Sequence, residues 1–450
     1  MAQWIEILAD TIWSAPVIFV LFAVFVYITC KARFPQRRLP GAFAELFRGK
    51  GAYRAVSVNL SAVLGVGNIA GVAMAIAAGG PGAVFWCFVS GLAGVGVQFA
   101  ECLVCAKYAR AGSPGGPMYV LRRFGMGKSA AVYASAVCLC GVLIGAAIPA
   151  NTVVRTVIPS LSGRQWLFAG AALAALAALV ISGGGRRAAD FCAYVIPPTL
   201  VVYLCVCAGI LYVARESIGE AVALIFSQAF ALRPAAAGAA GYGFARAVRW
   251  GTARGLFSSE AGMGTAGITA SEEVNGTPTA RALGCACSAV IDTLLLATLT
   301  GVCFVSAALE TGSGFSDAGT LVSGAFSLVP YIGKYFILIC VTFLGFSTII
   351  GWYWVADRAY GFLFPGRKRA LFAFIWLAAI FLGPAASGNT IWSACDILTV
   401  FLFIPNLCCV LRILPHCGAE LALLSQRGRK HDAQRKKKRY PAGYVSLRQK

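Results

Sequence analysis

Two glycine-rich interruptions carrying polar side chains lie inside apolar stretches roughly 195 residues apart. The first reads Gly65-Val66-Gly67-Asn68-Ile69-Ala70-Gly71. The second reads Arg254-Gly255-Leu256-Phe257-Ser258-Ser259-Glu260-Ala261-Gly262-Met263-Gly264. Glycine costs a helix roughly 1 kcal/mol relative to alanine, and unwound backbone at membrane depth survives only where protein or a cavity surrounds it. Unwinding at Gly65 to Asn68 would free amide N–H groups. Together with the dipole of the half-helix that follows, these suit a carboxylate. A glycine face for close helix packing is the plainer reading of the same residues. Asn68 beside the glycines, and the repetition of the break, favour binding.

Ser347 and Thr348 set two adjacent hydroxyls in the middle of a later apolar run. Hydroxyl oxygens can replace the water shell of an alkali cation, and carbonyls freed near a helix break can complete it. Alone, such residues usually bond back to their own helix. Trp352 follows Thr348 by four residues, on the same helical face; a tryptophan of the membrane interface is the alternative. Arg254, Glu260 and Asp292 are charges inside or close to spans, where they are costly and point to function. For Glu260 a gating or structural ion pair with a basic residue is favoured over direct ion coordination. Glu101, Asp357 and Asp396 sit nearer element ends or outside any motif and read as structural.

Several chemistries are disfavoured. The two histidines, His416 and His431, lie at or beyond the last apolar run, which leaves no imidazole acid–base chemistry within the membrane region. No G-x-x-x-x-G-K-[ST] loop supports ATP-driven pumping. Most of the 17 cysteines lie within spans and read as small apolar packing residues. Cys102-x-x-Cys105 has metal or redox spacing but no second pair beside it. Nothing points to an enzyme or to a cofactor; gradient-driven transport or passive conduction remains.

The elements that must position these residues are membrane spans. Hydrophobic residues make up 59% of the 450 and charged residues 12%, against about 25% charged in a soluble domain. Eleven runs approach the length needed to cross a bilayer: 12–30, 57–78, 82–106, 129–154, 166–183, 191–213, 240–270, 283–308, 330–356, 370–387 and 391–413. The broken runs are the second and the seventh. Most of the 38 basic residues fall on one side if the N-terminus is outside: in 31–56, in 107–128, at Arg186 and Arg187, at 367–369, and in the tail. The positive-inside rule then places the C-terminus in the cytoplasm. The net charge of +21 mainly reflects this topology. The run Arg435-Lys436-Lys437-Lys438-Arg439 suits anionic lipid better than nucleic acid. No cleavable signal peptide is evident, since Glu6 and Asp10 precede the first span.

If each broken run opens a five-span unit, the chain divides into an extra N-terminal helix (1–30), a first repeat (57–213), a second repeat (241–413) and a basic tail (414–450). Five is odd, so the second unit enters the membrane in the opposite sense to the first. Inverted repeats with discontinuous leading helices carry their substrate at the midplane.

Gly65 to Ala73 followed by Gly79-Gly80-Pro81-Gly82-Ala83-Val84-Phe85-Trp86 resembles the signature region of the alanine/glycine:cation symporter family. Gly115 to Tyr119, Arg254 to Gly264, Ile291-Asp292-Thr293 and Phe346 to Trp352 continue the resemblance in family order over about 50–410. It implies an all-α polytopic LeuT-like fold of 5+5 inverted helices plus one N-terminal helix. It also implies sodium-coupled import of a small neutral amino acid by alternating access across an inner membrane. The resemblance places the substrate against Gly65, Val66, Gly67, Asn68, Pro149, Ser259, Gly262, Met263 and Trp352, and sodium against Leu64, Ser347 and Thr348. No metal beyond sodium is implied.

The departures from the family pattern fall in this site. Val66 stands where threonine is usual, Pro149 where glutamine is usual, and Ser259 where asparagine is usual; Cys87-Phe88 replaces Met-Trp. The first three lose a polar group, and a hydrogen bond to a charged ligand group is worth roughly 1.5–3 kcal/mol. Coupling is thus expected to be kept while substrate choice has moved. A different solute, proton coupling, a passive channel and a non-transporting amino-acid sensor are the alternatives.

Overall fold

A computed structural model describes residues 2–46, 59–110, 113–158, 165–230, 239–272, 276–329, 333–366, 369–386, 388–422 and 424. The basic run at 435–439, residues 57 and 58 at the start of the first repeat, and tail residues 425–450 lie outside the described residues. The fold is all-helical, 87% helix and without a strand among the described residues.

In chain order the helices are α1 (Ala2–Ile12), α2 (Ala15–Lys31), α3 (Leu39–Leu46), α4 (59–63), α5 (Ala70–Gly79), α6 (Ala83–Tyr108) and α7 (Pro117–Arg123). They continue with α8 (Gly127–Cys140), α9 (Ile148–Val157), α10 (Gln165–Ile181), α11 (Gly184–Val213), α12 (Ile218–Ala229) and α13 (Ala239–Ser259). After these come α14 (Thr265–Glu272), α15 (Pro278–Ala289), α16 (Thr298–Thr311), α17 (Ala318–Ser327), α18 (Gly333–Leu363), α19 (Ala370–Leu382) and α20 (Gly388–Ile413).

Helix occupies each of the eleven apolar runs, but they are not eleven equivalent spans. Among the described residues, six continuous helices are long and apolar enough to cross a membrane, or seven if the pair Pro16–Lys31 and Pro35–Phe43, bent by 51°, counts as one span. The shortfall has physical causes. The second and seventh runs are broken in the middle. Gln165–Ile181 and Ala370–Ala385 are short, and α13 carries Arg246, Arg249 and Arg254.

Both breaks fall at the glycine interruptions. Between α4 and α5 the chain passes through an extended Gly65 (φ −141°, ψ −164°) and one 3-10 turn, Val66–Asn68. Between α13 and α14 three residues adopt positive φ: Glu260 (52°), Gly262 (89°) and Gly264 (80°). A Cβ at Gly264 would come within 2.6 Å of both Asn406 Oδ1 and Tyr133 Oη, so this turn requires glycine on both conformational and steric grounds.

The two broken helices run antiparallel. α5, the second half of the first, packs on α13, the first half of the second. At the other end Asn59 of α4 accepts from Thr269 Oγ1 of α14 at 3.2 Å and donates to Ser288 Oγ of α15. Long α6 packs along α13, α14 and α15, while α18 packs against α8, α9 and α11. Two stretches, Gly141–Ala147 and Val290–Ala297, widen to π-helix inside otherwise α-helical spans. Such bulges displace side chains from α-helical register and occur frequently at functional sites; the second one contains Asp292.

Candidate substrate and ion site

The first break meets α18 at Thr348. Its Oγ1 lies 3.5 Å from the Leu64 carbonyl oxygen and donates to the Leu344 carbonyl at 2.9 Å. Any Cβ at Gly65 would collide with that same hydroxyl. The glycine therefore permits the unwound backbone to reach the hydroxyl, and not only to unwind. Ser347 is fully buried and its Oγ donates back to Leu344 O at 2.9 Å. A hydroxyl and a carbonyl thus face each other across the helix break, an oxygen pair suited to a hard cation.

A cavity of about 20 Å³ adjoins this pair, room for roughly one water-sized particle. Gly65, Val66 and Gly67 form one wall, Phe257, Ser258 and Glu260 the second, and Thr348 and Trp352 the third; Ala62, Val63, Ile144 and Ile148 complete it. Two broken helices and α18 therefore share one small enclosure. It is too small for an amino acid.

The remaining sequence-expected residues stand outside that lining. Asn68 Nδ2 donates to Asp292 Oδ1 at 2.5 Å, and Asn68 Oδ1 accepts from Ser258 Oγ at 2.7 Å. Ser258 Oγ also lies 2.6 Å from Asp292 Oδ2, which accepts from Thr293 Oγ1 at 2.9 Å. Asn68 is thus engaged in a buried network tying the first break to α13 and to the π-helical turn. Ser259 Oγ sits 3.4 Å from the Ala261 amide and from the Leu256 carbonyl. Gly262 packs on Phe403 and Phe25, Met263 O accepts from Tyr133 Oη at 2.9 Å, and Pro149 is buried at the start of α9. Of the three departures from the family pattern that lose a polar group, Val66 alone lines the cavity.

The charges pair differently from the sequence-based expectation. Arg254 forms a buried ion pair with Asp396 of α20 at 2.6 Å, with side chains 1% and 7% exposed. Its guanidinium also lies over Trp392 (4.7 Å), Trp250 (5.4 Å) and Phe257 (5.7 Å). Phe257, which lines the cavity, contacts Trp392 with ring centroids 5.0 Å apart. Glu260 has no basic partner within 4 Å among the described residues; it accepts from Thr265 Oγ1 at 2.6 Å and borders the cavity. Glu101 and Asp396, read as structural from sequence, both engage the second broken helix. Glu101 Oε2 accepts the Gly262 and Gly264 amides, each at 3.2 Å, and Asn406 Nδ2 at 2.7 Å. The only signal that could have found them is charge within an apolar run.

Two antiparallel broken helices around a buried cavity, set in a bundle of apolar membrane-length helices, define a multi-pass membrane protein of the transporter class. Comparison narrows the class. The chain belongs to the sodium:alanine symporter family, whose profile matches residues 1–439. It is 31% identical over 429 residues to the uncharacterized transporter YflA of Bacillus subtilis, covering 91% of this chain and 90% of that one. The sodium/alanine symporter AgcS of Methanococcus maripaludis is 29% identical, over 88% of this chain and 91% of its own. The probable sodium/glutamine symporter GlnT of Bacillus subtilis is 29% identical, over 88% and 85%.

Proposed function

We propose that this protein is a sodium-coupled symporter that imports a small neutral amino acid by alternating access. In this reading eleven spans, arranged as one extra helix and two inverted five-helix repeats, cross the inner membrane with the N-terminus outside and the C-terminus in the cytoplasm. One observation carries the reading: Thr348 Oγ1 faces the Leu64 carbonyl at the first break, beside a cavity that also reaches Glu260 and Trp352. Sodium held between α18 and the break, with Ser347 supporting it, orders the backbone whose amides at Gly65 to Gly67 receive the substrate carboxylate; the Asn68 amide donates to the Gly65 carbonyl at 3.2 Å. Each ligand then raises the affinity for the other by the same factor.

The relatives named for alanine and glutamine symport support a neutral amino acid as solute. Val66 in the cavity wall supports a solute choice shifted from theirs, because a hydroxyl in the family pattern is replaced by an apolar wall. Uptake of labelled alanine, glycine and glutamine into proteoliposomes tests the reading. Accumulation that needs an inward sodium gradient is expected, and accumulation indifferent to sodium would refute it.

A further inference from the structure

A second cavity, of about 520 Å³, opens beyond the end of α6, bordered by Tyr108, Arg110, Ser113, Tyr119, Arg122 and Arg123. The three arginines are exposed, and none has a carboxylate within 4 Å among the described residues. Neighbouring cations are matched. Lys107 pairs with Glu420 at 2.9 Å, Arg358 with Glu272 at 2.8 Å, and Arg369 with Asp357 at 2.6 Å. Arg281 donates to the Ala106 and Ala270 carbonyls at 2.8 and 3.0 Å. Around the cavity two of the three guanidiniums instead lie over rings, Arg123 over Tyr108 at 5.1 Å and Arg122 over Phe362 at 5.5 Å. Such contacts hold the planar group in place and leave its N–H edge for an oxygen ligand.

Three unmatched guanidiniums around one concave space, at the end of a membrane-length helix, match the chemistry of a phosphate anion, whose oxygens accept paired N–H bonds from arginine. We propose that this cavity binds an anionic phosphate group, carried either by a phosphatidylglycerol-type headgroup or by free inorganic phosphate. The site also adjoins the second broken helix. A Cβ at Gly115, which borders the cavity, would strike the Ser271 side chain, and Gly116 (φ +116°) lies against Ile268. Ser271 and Ile268 belong to α14, the second half of the second broken helix. A bound phosphate therefore braces the segment against which α14 rests.

The test uses the purified full-length protein in neutral detergent and reads its melting midpoint at matched ionic strength. The added probes are dihexanoyl-phosphatidylglycerol, dihexanoyl-phosphatidylcholine and inorganic phosphate. Phosphatidylglycerol is expected to raise the midpoint and phosphatidylcholine to leave it unchanged, with the rise lost in Arg110→Gln/Arg122→Gln/Arg123→Gln. A comparable rise with inorganic phosphate, also lost in the variant, assigns free phosphate as ligand; no rise with it assigns the headgroup. A rise that survives in the triple variant, a rise equal for both lipids, or none with any probe overturns the proposal. Should the triple variant fail to fold, Arg123→Gln alone is expected to weaken the apparent affinity about tenfold, and an unchanged affinity overturns it.

Discussion

Glu101 on α6 closes the unwound turn of the second broken helix by accepting the Gly264 amide at 3.2 Å, and the Gly262 amide at the same distance. The carboxylate replaces helical acceptors that the turn has lost, while Asn406 fixes it from α20. Truncation in Glu101→Ala leaves three donors without this acceptor and is expected to cost about 3 kcal/mol or more. Glu101→Gln keeps an acceptor oxygen and loses less. Melting midpoints of the two purified variants check the order; equal stability of the alanine variant and the parent would contradict it.

Contact between Gly65 and Thr348 predicts a steric penalty distinct from ion binding. Gly65→Ala should abolish uptake, because the new methyl group would collide with Thr348 Oγ1 and force the break and α18 apart. Thr348→Ser keeps the hydroxyl and should leave the sodium half-saturation within about threefold. Thr348→Ala should raise it about tenfold, the loss of one ligand to a charged group. Sodium titrations of uptake distinguish the three variants.

Arg254 and Asp396 form a buried ion pair, and removing Asp396 leaves a buried guanidinium without its carboxylate. Asp396→Asn is expected to cost about 3–5 kcal/mol, and Arg254→Gln is also expected to destabilise. The double substitution to Leu at both positions should cost less than either single change. A thermal double-mutant cycle measures this; additive losses would argue against the pair.

Val66 is the departure that faces the cavity. Val66→Thr supplies a hydroxyl there and is expected to lower the half-saturation concentration for alanine, whereas Ser259→Asn, outside the lining, should change it little. Competition assays against labelled substrate provide the comparison.

The breaks are legible because glycine and positive-φ turns leave a compositional trace, whereas Thr348 and Trp352 are singled out by the family resemblance, their spacing adding only that they share a helical face. Contacts made by distant residues left no such trace. Glu101 meets Gly262 across 161 positions, and Asp396 meets Arg254 across 142. Arg254 and Glu260 are close in sequence, but Glu260 lies past the end of α13 in the unwound turn (φ 52°), and Arg254 pairs with Asp396 instead. Asn68 was assigned to a ligand from its position beside glycines. Its engagement with Asp292 depends on the second π-helical turn, for which the residues give no local sign. The span count exceeded the continuous helices because two runs break and two are short.

The central claim is that one enclosure couples an ion to a solute, and it is tested most directly by uptake of labelled alanine, glycine or glutamine, whichever the parent accumulates, into proteoliposomes carrying the parent chain or Thr348→Ala. With an inward sodium gradient the parent should concentrate at least one of these solutes above equilibrium, and collapse of the gradient should abolish this. In Thr348→Ala the accumulation should fall and recover in part at higher sodium. Equal accumulation by both proteins, with and without the gradient, would contradict the account.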